Sequence, residues 1–290
     1  MTQTSGGRPS WHGRARPRKG QARKAFAAAV FGSAPLWLSP KLARAVDPFE
    51  IQVYDGTADA PGAPGLELHL NTVPNGRKTA EPPELAPNHQ SHFTLEPSLG
   101  IEPWWELGGY LQSSLSGEGK LSYAGAKLRS KFVTPKGWSR SFRLGLNLEL
   151  SRIPQAYDHA RWGGEARPIV AFEDARWLLV ANPILELSLA GSDARAGPSF
   201  APALMAKLKI EGVVALGVEY YADFGPLSSP DPVREQQQYL FEAVDLLALA
   251  HLEVNAGVGE GFTHESNALV LKAIIGYSWD SARLWTPRGP

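Results

Sequence analysis

The sequence of 290 residues contains no cysteine, which excludes disulfides, thiolate metal sites, a cysteine nucleophile and a lipoprotein anchor. A chain without thiols also suits a compartment that oxidises them. Beyond residue 45, no run approaches the roughly 18 uncharged apolar residues that a membrane-spanning helix needs. No Gly-rich loop follows a strand pattern and opens a helix, so the sequence gives no support for nucleotide binding. If the chain after residue 45 crosses a membrane, it crosses as strands.

Acidic residues are missing from residues 1–45, which hold nine Lys or Arg and neither Asp nor Glu. The remainder has 20 basic against 29 acidic residues, so the formal charge of zero is the sum of two differently charged segments. The basic lead, the apolar stretch 25–38 and the small-residue sequence Ala43-Arg44-Ala45 follow the order of a secretory signal peptide. We predict a signal peptide over 1–45, cleaved near Ala45. The alternative is a basic arm that binds nucleic acid or membrane; we predict no nucleic-acid partner.

From residue 65 onward, apolar residues alternate with polar ones, which is the period of a β-strand with two different faces. Leu144, Leu146 and Leu148, for example, interleave with Asn147 and Glu149. Each such segment is close to the roughly 9–11 residues that cross a bilayer at a tilt. The pattern predicts twelve strands, at 65–74, 91–100, 104–113, 120–133, 140–151, 167–175, 176–189, 200–210, 213–223, 237–246, 252–260 and 267–279.

The linkers between the predicted strands alternate in length, mostly long and polar after odd-numbered strands and short after even-numbered ones. Large aromatics gather next to the short linkers or the C-terminus: Trp104, Trp105, Trp138, Phe142, Trp177, Tyr277 and Trp279. Both features are typical of outer-membrane barrels. We therefore predict an all-β fold, a transmembrane antiparallel up-and-down β-barrel of about 12 strands over 65–279. A soluble β-sandwich with an aromatic core is the alternative.

Two segments flank the predicted barrel. Residues 46–64, predicted as a periplasmic N-terminal segment, are rich in Pro, Gly and Asp but open with Phe49, Ile51 and Val53. They could line the periplasmic mouth, enter the lumen as a plug, or form an ordered leader; we favour an ordered leader. Residues 280–290 form a predicted C-terminal tail.

Several short segments resemble a group of largely uncharacterised proteobacterial outer-membrane barrels, some described as transporter-like. They are residues 48–54 (Pro-Phe-Glu-Ile-Gln-Val-Tyr), 103–108 (Pro-Trp-Trp-Glu-Leu-Gly), and 257–261 (Gly-Val-Gly-Glu-Gly) leading into 270–274. The last strand, from Leu269 to Trp279, also resembles the aromatic-ended strand by which such proteins are recognised for assembly, although eleven residues follow it. The resemblance covers about Asp47 to Trp279 and implies the fold and the bacterial outer membrane. Its implied partners are outer-membrane lipid and the outer-membrane assembly machinery.

If the aliphatic rows face lipid, the opposite rows put many charged side chains in the lumen. This predicts a channel or transporter-like barrel for small polar solutes, because rows of charge set selectivity in channels. A lumen closed by cross-strand ion pairs is the alternative. The predicted lumen charges are Glu67, His69, Glu96, Glu106, Lys127, Arg129, Lys131, Arg143, Glu149, Lys207, Lys209 and Glu219, with Glu173, Glu186, Glu242, Glu253 and Lys272 on later strands.

One motif suggests an enzyme instead. Residues 264–267 (His-Glu-Ser-Asn) resemble the His-x-Ser-Asn sequence of outer-membrane lipid A deacylases, which implies a Ser266 hydroxyl activated by His264. The same residues also suit a surface loop before the last strand. We predict no enzyme and no cofactor. We also predict no metal, because His69 and His92 could meet on neighbouring strands but lack a clear third ligand. A barrel with a structural or adhesive role carried by its loops is the third hypothesis.

Overall fold

The structure, a computed structural model, describes residues 46–158, 160–190, 193–195, 197–249 and 251–280. The predicted signal peptide and residues 281–290 of the predicted tail lie outside these ranges. Twelve strands follow one another, two of them in two segments. They are β1 (Pro64–Asn75), β2 (Ser91–Glu102), β3 (Trp105–Leu115), β4 (Leu121–Val133), β5 (Phe142–Arg152), β6 (Trp162–Glu173), β7 (Trp177–Asn182 and Leu185–Ser188), β8 (Ser199–Phe200 and Ala203–Ile210), β9 (Val214–Asp223), β10 (Gln237–Leu246), β11 (Leu252–Gly261) and β12 (Leu269–Ser278).

The strands form a closed barrel. Each strand pairs antiparallel with the next, and β12 pairs with β1 from Gly65 opposite Ser278 onward, which leaves no free edge. The predicted fold class, a transmembrane antiparallel barrel of about 12 strands, is confirmed. In the described ranges, no α-helix is long and apolar enough to cross a bilayer.

Side-chain burial is inverted relative to a soluble protein. On β5, Leu146 and Leu148 are 37% and 41% exposed, whereas Asn147 between them is fully buried. The same alternation runs along most of the other strands, so leucine and valine cover the outside and most of the charged side chains of the wall lie inside. An apolar outer surface of this extent is stable only against lipid.

A charge placed on the middle of this outer surface should be costly. Leu148 lies near the middle of β5, and we expect Leu148→Arg to lower the free energy of unfolding by about 2–4 kcal/mol, the cost of a cation at the bilayer midplane. Urea titration of the barrel in liposomes measures this. The control is Leu121→Arg at the rim, on the first residue of β4, where the cost should fall to about 1 kcal/mol or less. Equal costs at the two positions would contradict a membrane-spanning surface.

The linkers define two ends of the barrel. Linkers after odd strands are mostly long, such as 76–90 and 224–236, and those after even strands are mostly short, such as 103–104 and 211–213. There are two exceptions: 116–120 follows an odd strand but is short, and 134–141 follows an even strand but is longer than 262–268. We call these the long-loop end and the short-turn end. At the short-turn end, Trp104, Trp138, Phe142, Trp177, Tyr277 and Trp279 are 41–58% exposed, as an interfacial aromatic girdle requires.

The largest boundary error of the sequence prediction concerns β6, which begins at Trp162 rather than at residue 167. Pro168, Pro183 and Pro202 explain the irregularity of this region. The flanking registers place Pro168 opposite Pro183, and Pro183 opposite Pro202, on three adjacent strands. Proline has no N–H to donate, so the hydrogen-bond ladder is interrupted along this row and both β7 and β8 are split there.

Candidate functional site: the barrel lumen

The lumen contains the charged residues that alternation assigns to the inner face. Nine of the twelve predicted lumen charges lie on β1–β5, Lys207 and Lys209 lie near the end of β8, and Glu219 lies on β9. Glu67, Lys131, Arg143 and Lys209 are half-buried, and the other eight are buried. Each of the twelve has an oppositely charged side chain within 4.0 Å, His69 counting as a cation when protonated.

Glu242 is a correction. It was predicted to face the lumen, but it is exposed on the outer face, because Tyr239, Phe241 and Ala243 are the buried residues of β10. In that strand the aromatic and alanine side chains point into the lumen. The assumption that apolar residues face lipid therefore assigns the residues of this strand to the wrong faces. Its outward neighbours are Val218 and Val258.

Two charged residues on the lumen side of β6 were not predicted: Glu165, which is half-buried, and Arg167, which is buried. Their side chains form a bidentate pair, with Arg167 Nε donating to Glu165 Oε1 over 2.6 Å. They alternate with Ala166 and Pro168, which face outward, so the strand period continues through them. This alternation was the sequence signal for a strand that begins before residue 167, but residues 152–166 were predicted to form a loop.

Residues 46–59, here the inner segment, run through the lumen. Near the long-loop end, Asn71 donates to the Pro48 carbonyl and Thr94 to the Phe49 carbonyl, each over 2.9 Å. At the short-turn end, Ser98 and Ser278 both donate to the Asp59 carboxylate over 2.7 Å. The predicted ordered leader is therefore wrong for this part of the chain. The plug alternative describes the observed position.

The acidic side chains of the inner segment contact the basic side of the lumen. Glu50 is buried, with oxygens 3.0 Å from Lys127 Nζ and 3.1 Å from the Arg167 guanidinium. Lys127 Nζ also lies 2.6 Å from Asp47 Oδ2 and 3.2 Å from Glu149 Oε2, so one ammonium group forms ion pairs with three carboxylates. Burial alone would raise the pKa of Glu50, but the charges of Lys127 and Arg167 outweigh it and lower that pKa from 4.5 to about 2.

Tyr54 fixes the middle of the segment to the wall. Its backbone N–H donates to the Asn182 side chain over 2.7 Å, and Asn182 donates back to the Tyr54 carbonyl over 3.0 Å. The ring lies 4.4 Å from the Arg167 guanidinium, a cation–π distance. Its hydroxyl contacts the hydroxyl of Tyr110. Burial and the charge of Glu50 raise the pKa of Tyr54 well above 10, so this hydroxyl stays neutral.

The other side of the lumen is apolar where it meets the segment. Ile51 and Val53 are less than 10% exposed and pack in one cluster with wall residues. The wall members are Val73, Ala171, Val180, Ile184, Ala201, Ala203, Met205, Tyr221, Tyr239, Phe241 and Val270. The alternation of Glu50 with Ile51 and of Gln52 with Val53 thus matches two unlike walls at once. The segment is held by both ion pairs and apolar burial.

A polar cavity remains below the segment. Its volume is about 240 Å³, and its lining includes Gln52, Glu67, Glu253 and Asn255. A second cavity of about 360 Å³ shares Glu67, Lys131 and Glu253 with the first and reaches the short-turn end. The part of the lumen that is not filled therefore lies towards the short turns, and its lining includes many charged side chains.

One group in the described ranges has the donor types for a metal ion. Glu67, His69 and Glu96 each offer an atom within 4.8 Å of the others. His69 Nε2 is 2.9 Å from Glu96, whose other oxygen accepts from Arg129 over 2.6 Å. His92, by contrast, contacts Gln90, so the structure does not bring the two histidines together. Because Arg129 already compensates Glu96, we interpret the group as an ion-paired network.

The structure gives the two residues of the alternative hydrolase motif, His264 and Ser266, different partners. Ser266 Oγ accepts from the Gln238 N–H over 2.8 Å, donates to the Gln238 carbonyl and contacts the Thr263 hydroxyl. The His264 ring is 83% exposed and contacts its neighbour Glu265. These contacts fasten the last long loop to β10, which is the surface-loop alternative given above.

Together, a closed antiparallel wall, an apolar exterior and a charged interior define a transmembrane β-barrel. No protein-family model and no curated protein sequence matches the chain. Among solved structures, an outer membrane channel from Pseudomonas putida F1 is similar with a TM-score of 0.57 and 10% identity, over 79% of this chain and 100% of that one.

Two further barrels are similar at lower scores. The KdgM porin, solved in complex with disordered oligogalacturonate, has a TM-score of 0.47 and 9% identity over 74% of this chain and 99% of that one. LpxR from Salmonella typhimurium has a TM-score of 0.42 and 7% identity, over 73% and 99%. These identities show the fold alone. Membership of the uncharacterised proteobacterial family stays a prediction.

Proposed function

We propose that this chain is a bacterial outer-membrane channel for small polar solutes, exported by a signal peptide cleaved near Ala45, whose lumen is closed by its own inner segment. The observation that carries the proposal is the position of residues 46–59 inside a charged lumen. Two polar cavities that share lining residues lie below the segment, and the second of them reaches the short-turn end. A barrel that served only as a loop scaffold would need neither the cavity nor a separable segment. The short-turn end is the periplasmic end in this proposal.

Glu50 makes the closed state sensitive to acid. A carboxyl group whose pKa is lowered in the folded state stabilises that state above its ordinary pKa of 4.5 and stops doing so as the pH falls towards 2. We therefore expect conductance in planar bilayers to be low at pH 7 and to rise between about pH 4.5 and pH 2.

A neutral side chain at residue 50 should remove the need for acid. We expect Glu50→Gln to conduct at pH 7, because Lys127 and Arg167 then lose their ionic hold on the segment. The matched control is Glu260→Gln, on the outer face of β11, which should stay closed at neutral pH. A barrel that is silent in both variants and at every pH would contradict the proposed channel.

A further inference from the structure

The cavity below the inner segment has two carboxyl groups, those of Glu67 and Glu253, that no Lys or Arg compensates. Its four Lys or Arg residues each lie within 4.0 Å of a carboxylate other than Glu67 and Glu253; they are Arg129, Lys131, Lys207 and Lys272. Within the described ranges, no Lys or Arg lies within 4.0 Å of Glu67 or Glu253; only His69 approaches Glu67, at 3.6 Å. Two carboxyl groups that no Lys or Arg compensates therefore give the cavity an affinity for cations.

These two carboxylates are held next to each other by a glycine. Glu67 on β1 and Glu253 on β11 are both opposite Gly276 on β12, on the lumen side. A Cβ atom at Gly276 would lie 2.9 Å from Glu67 Cγ and 3.3 Å from Glu253 Cβ. Glycine thus gives room for two like charges in one row, an arrangement that is costly unless a positive charge compensates it.

Two buried amide oxygens in the same cavity have no donor. Gln52 Nε2 donates to Glu67 Oε2 over 3.2 Å, and Asn255 Nδ2 donates to Asp245 and Glu219. Because an ionised carboxylate only accepts, these bonds fix which end of each amide is oxygen. Gln52 Oε1 and Asn255 Oδ1 are buried without a partner, and the Asn255 side chain is itself more than nine-tenths buried. The one donor in the cavity lining that also lacks a hydrogen bond is Arg129 Nη1, which lies 2.7 Å from the Glu106 carboxylate. The two amide oxygens have no such charged neighbour of opposite sign and remain unmet acceptors.

We propose that this acceptor site, formed by Gln52, Glu67, Glu253 and Asn255, binds a small organic cation that carries N–H donors, such as an alkyl diammonium. Such a ligand supplies positive charge to the carboxylates and donors to the amide oxygens. The volume of about 240 Å³ is far above the roughly 10–15 Å³ that one water needs. The inference rests on the proposed function, since it names the class of solute that the channel takes. A bound solute would also contact the inner segment that closes the lumen, because Gln52 belongs to that segment.

The test is calorimetric titration of the intact barrel in detergent with 1,4-diaminobutane at pH 7. We expect saturable binding of one molecule, and Glu253→Gln should weaken it about tenfold or more, the loss of a charged hydrogen bond. Glu253→Gln breaks no ion pair in the described ranges, so the variant should fold, which heat-modifiable migration on gels checks. Glu260→Gln, on the opposite face of the same strand, should bind like the unmodified protein.

Two results would overturn the site. They are no binding of 1,4-diaminobutane, whether or not MgCl₂ binds, and equal binding of the diamine by the Glu253→Gln and Glu260→Gln variants. The channel is judged separately in planar bilayers. A barrel that binds the diamine but never conducts would remove the channel and leave the site. A Glu50→Gln barrel that conducts but binds no diamine would remove the site and leave the channel.

Discussion

Deleting residues 46–57 should convert a closed barrel into one that conducts steadily at neutral pH. These residues include Phe49 and Ile51, which are 2% and 4% exposed inside the lumen, so their removal leaves a continuous space along the barrel axis. We expect single-channel conductance in planar bilayers to rise by at least about tenfold, because a filled constriction becomes a polar, charge-lined pore. Fewer spontaneous closures should accompany the increase, since the element that closes the pore is gone.

The wall should survive this deletion. The twelve strands pair with each other and close through β1 and β12, and every wall cation near the segment keeps a wall partner, such as Glu149 for Lys127. Heat-modifiable migration on gels should therefore be unchanged. A deleted variant that migrates as a folded barrel but does not conduct would show that something other than the inner segment closes the lumen.

Replacing Lys127 by methionine should be among the most destabilising single changes in the lumen. The ammonium group lies within 3.2 Å of Asp47, Glu50 and Glu149, and its loss leaves three carboxylates facing each other. Removing one partner of a buried ion pair typically costs about 3–5 kcal/mol. Urea titration in liposomes measures the free energy of unfolding, and bilayer recordings should show frequent openings at pH 7.

Two substitutions separate charge from packing at this position. Lys127→Arg keeps the positive charge and should recover most of the stability, whereas Lys120→Met, in the exposed loop before β4, should cost little. If Lys127→Met were as stable and as silent as the Lys120→Met variant, the ion cluster would not hold the segment.

The barrel could be predicted from the sequence because its determinants are local. Alternating residues such as Leu144 to Glu149 specify a strand with one side facing the lumen and one side facing lipid. The lengths of the linkers indicate which strand ends lie at the same end of the barrel. Prediction failed where a different local rule applied. In β10, aromatic side chains face the lumen, so Glu242 lies on the opposite face from the predicted one. β6 begins at Trp162, five residues before the predicted start, so Glu165 was assigned to a loop.

The position of the inner segment could not be predicted, because its contacts are remote in sequence. The Tyr54 backbone meets Asn182, which is 128 residues away, and Lys272 donates to the carbonyl of Ile51, which is 221 residues away. Residues 46–64 contain apolar and acidic side chains in short alternation, and that pattern fits a segment between an apolar and a basic wall. It fits an ordered leader equally well until the two walls are known.

The direction of the inner segment also orders the events of biogenesis. Val46 lies beside Asn71 and His92 near the long-loop end, whereas Pro64 begins β1 at the short-turn end, so the chain spans the pore with its upstream end on the far side. A segment can be threaded through a ring of strands that has already closed only if its leading end is free. On the proposed cleavage near Ala45, removal of the leader must therefore precede any such threading. Barrels that close first would then pass through a leaky stage before they seal themselves.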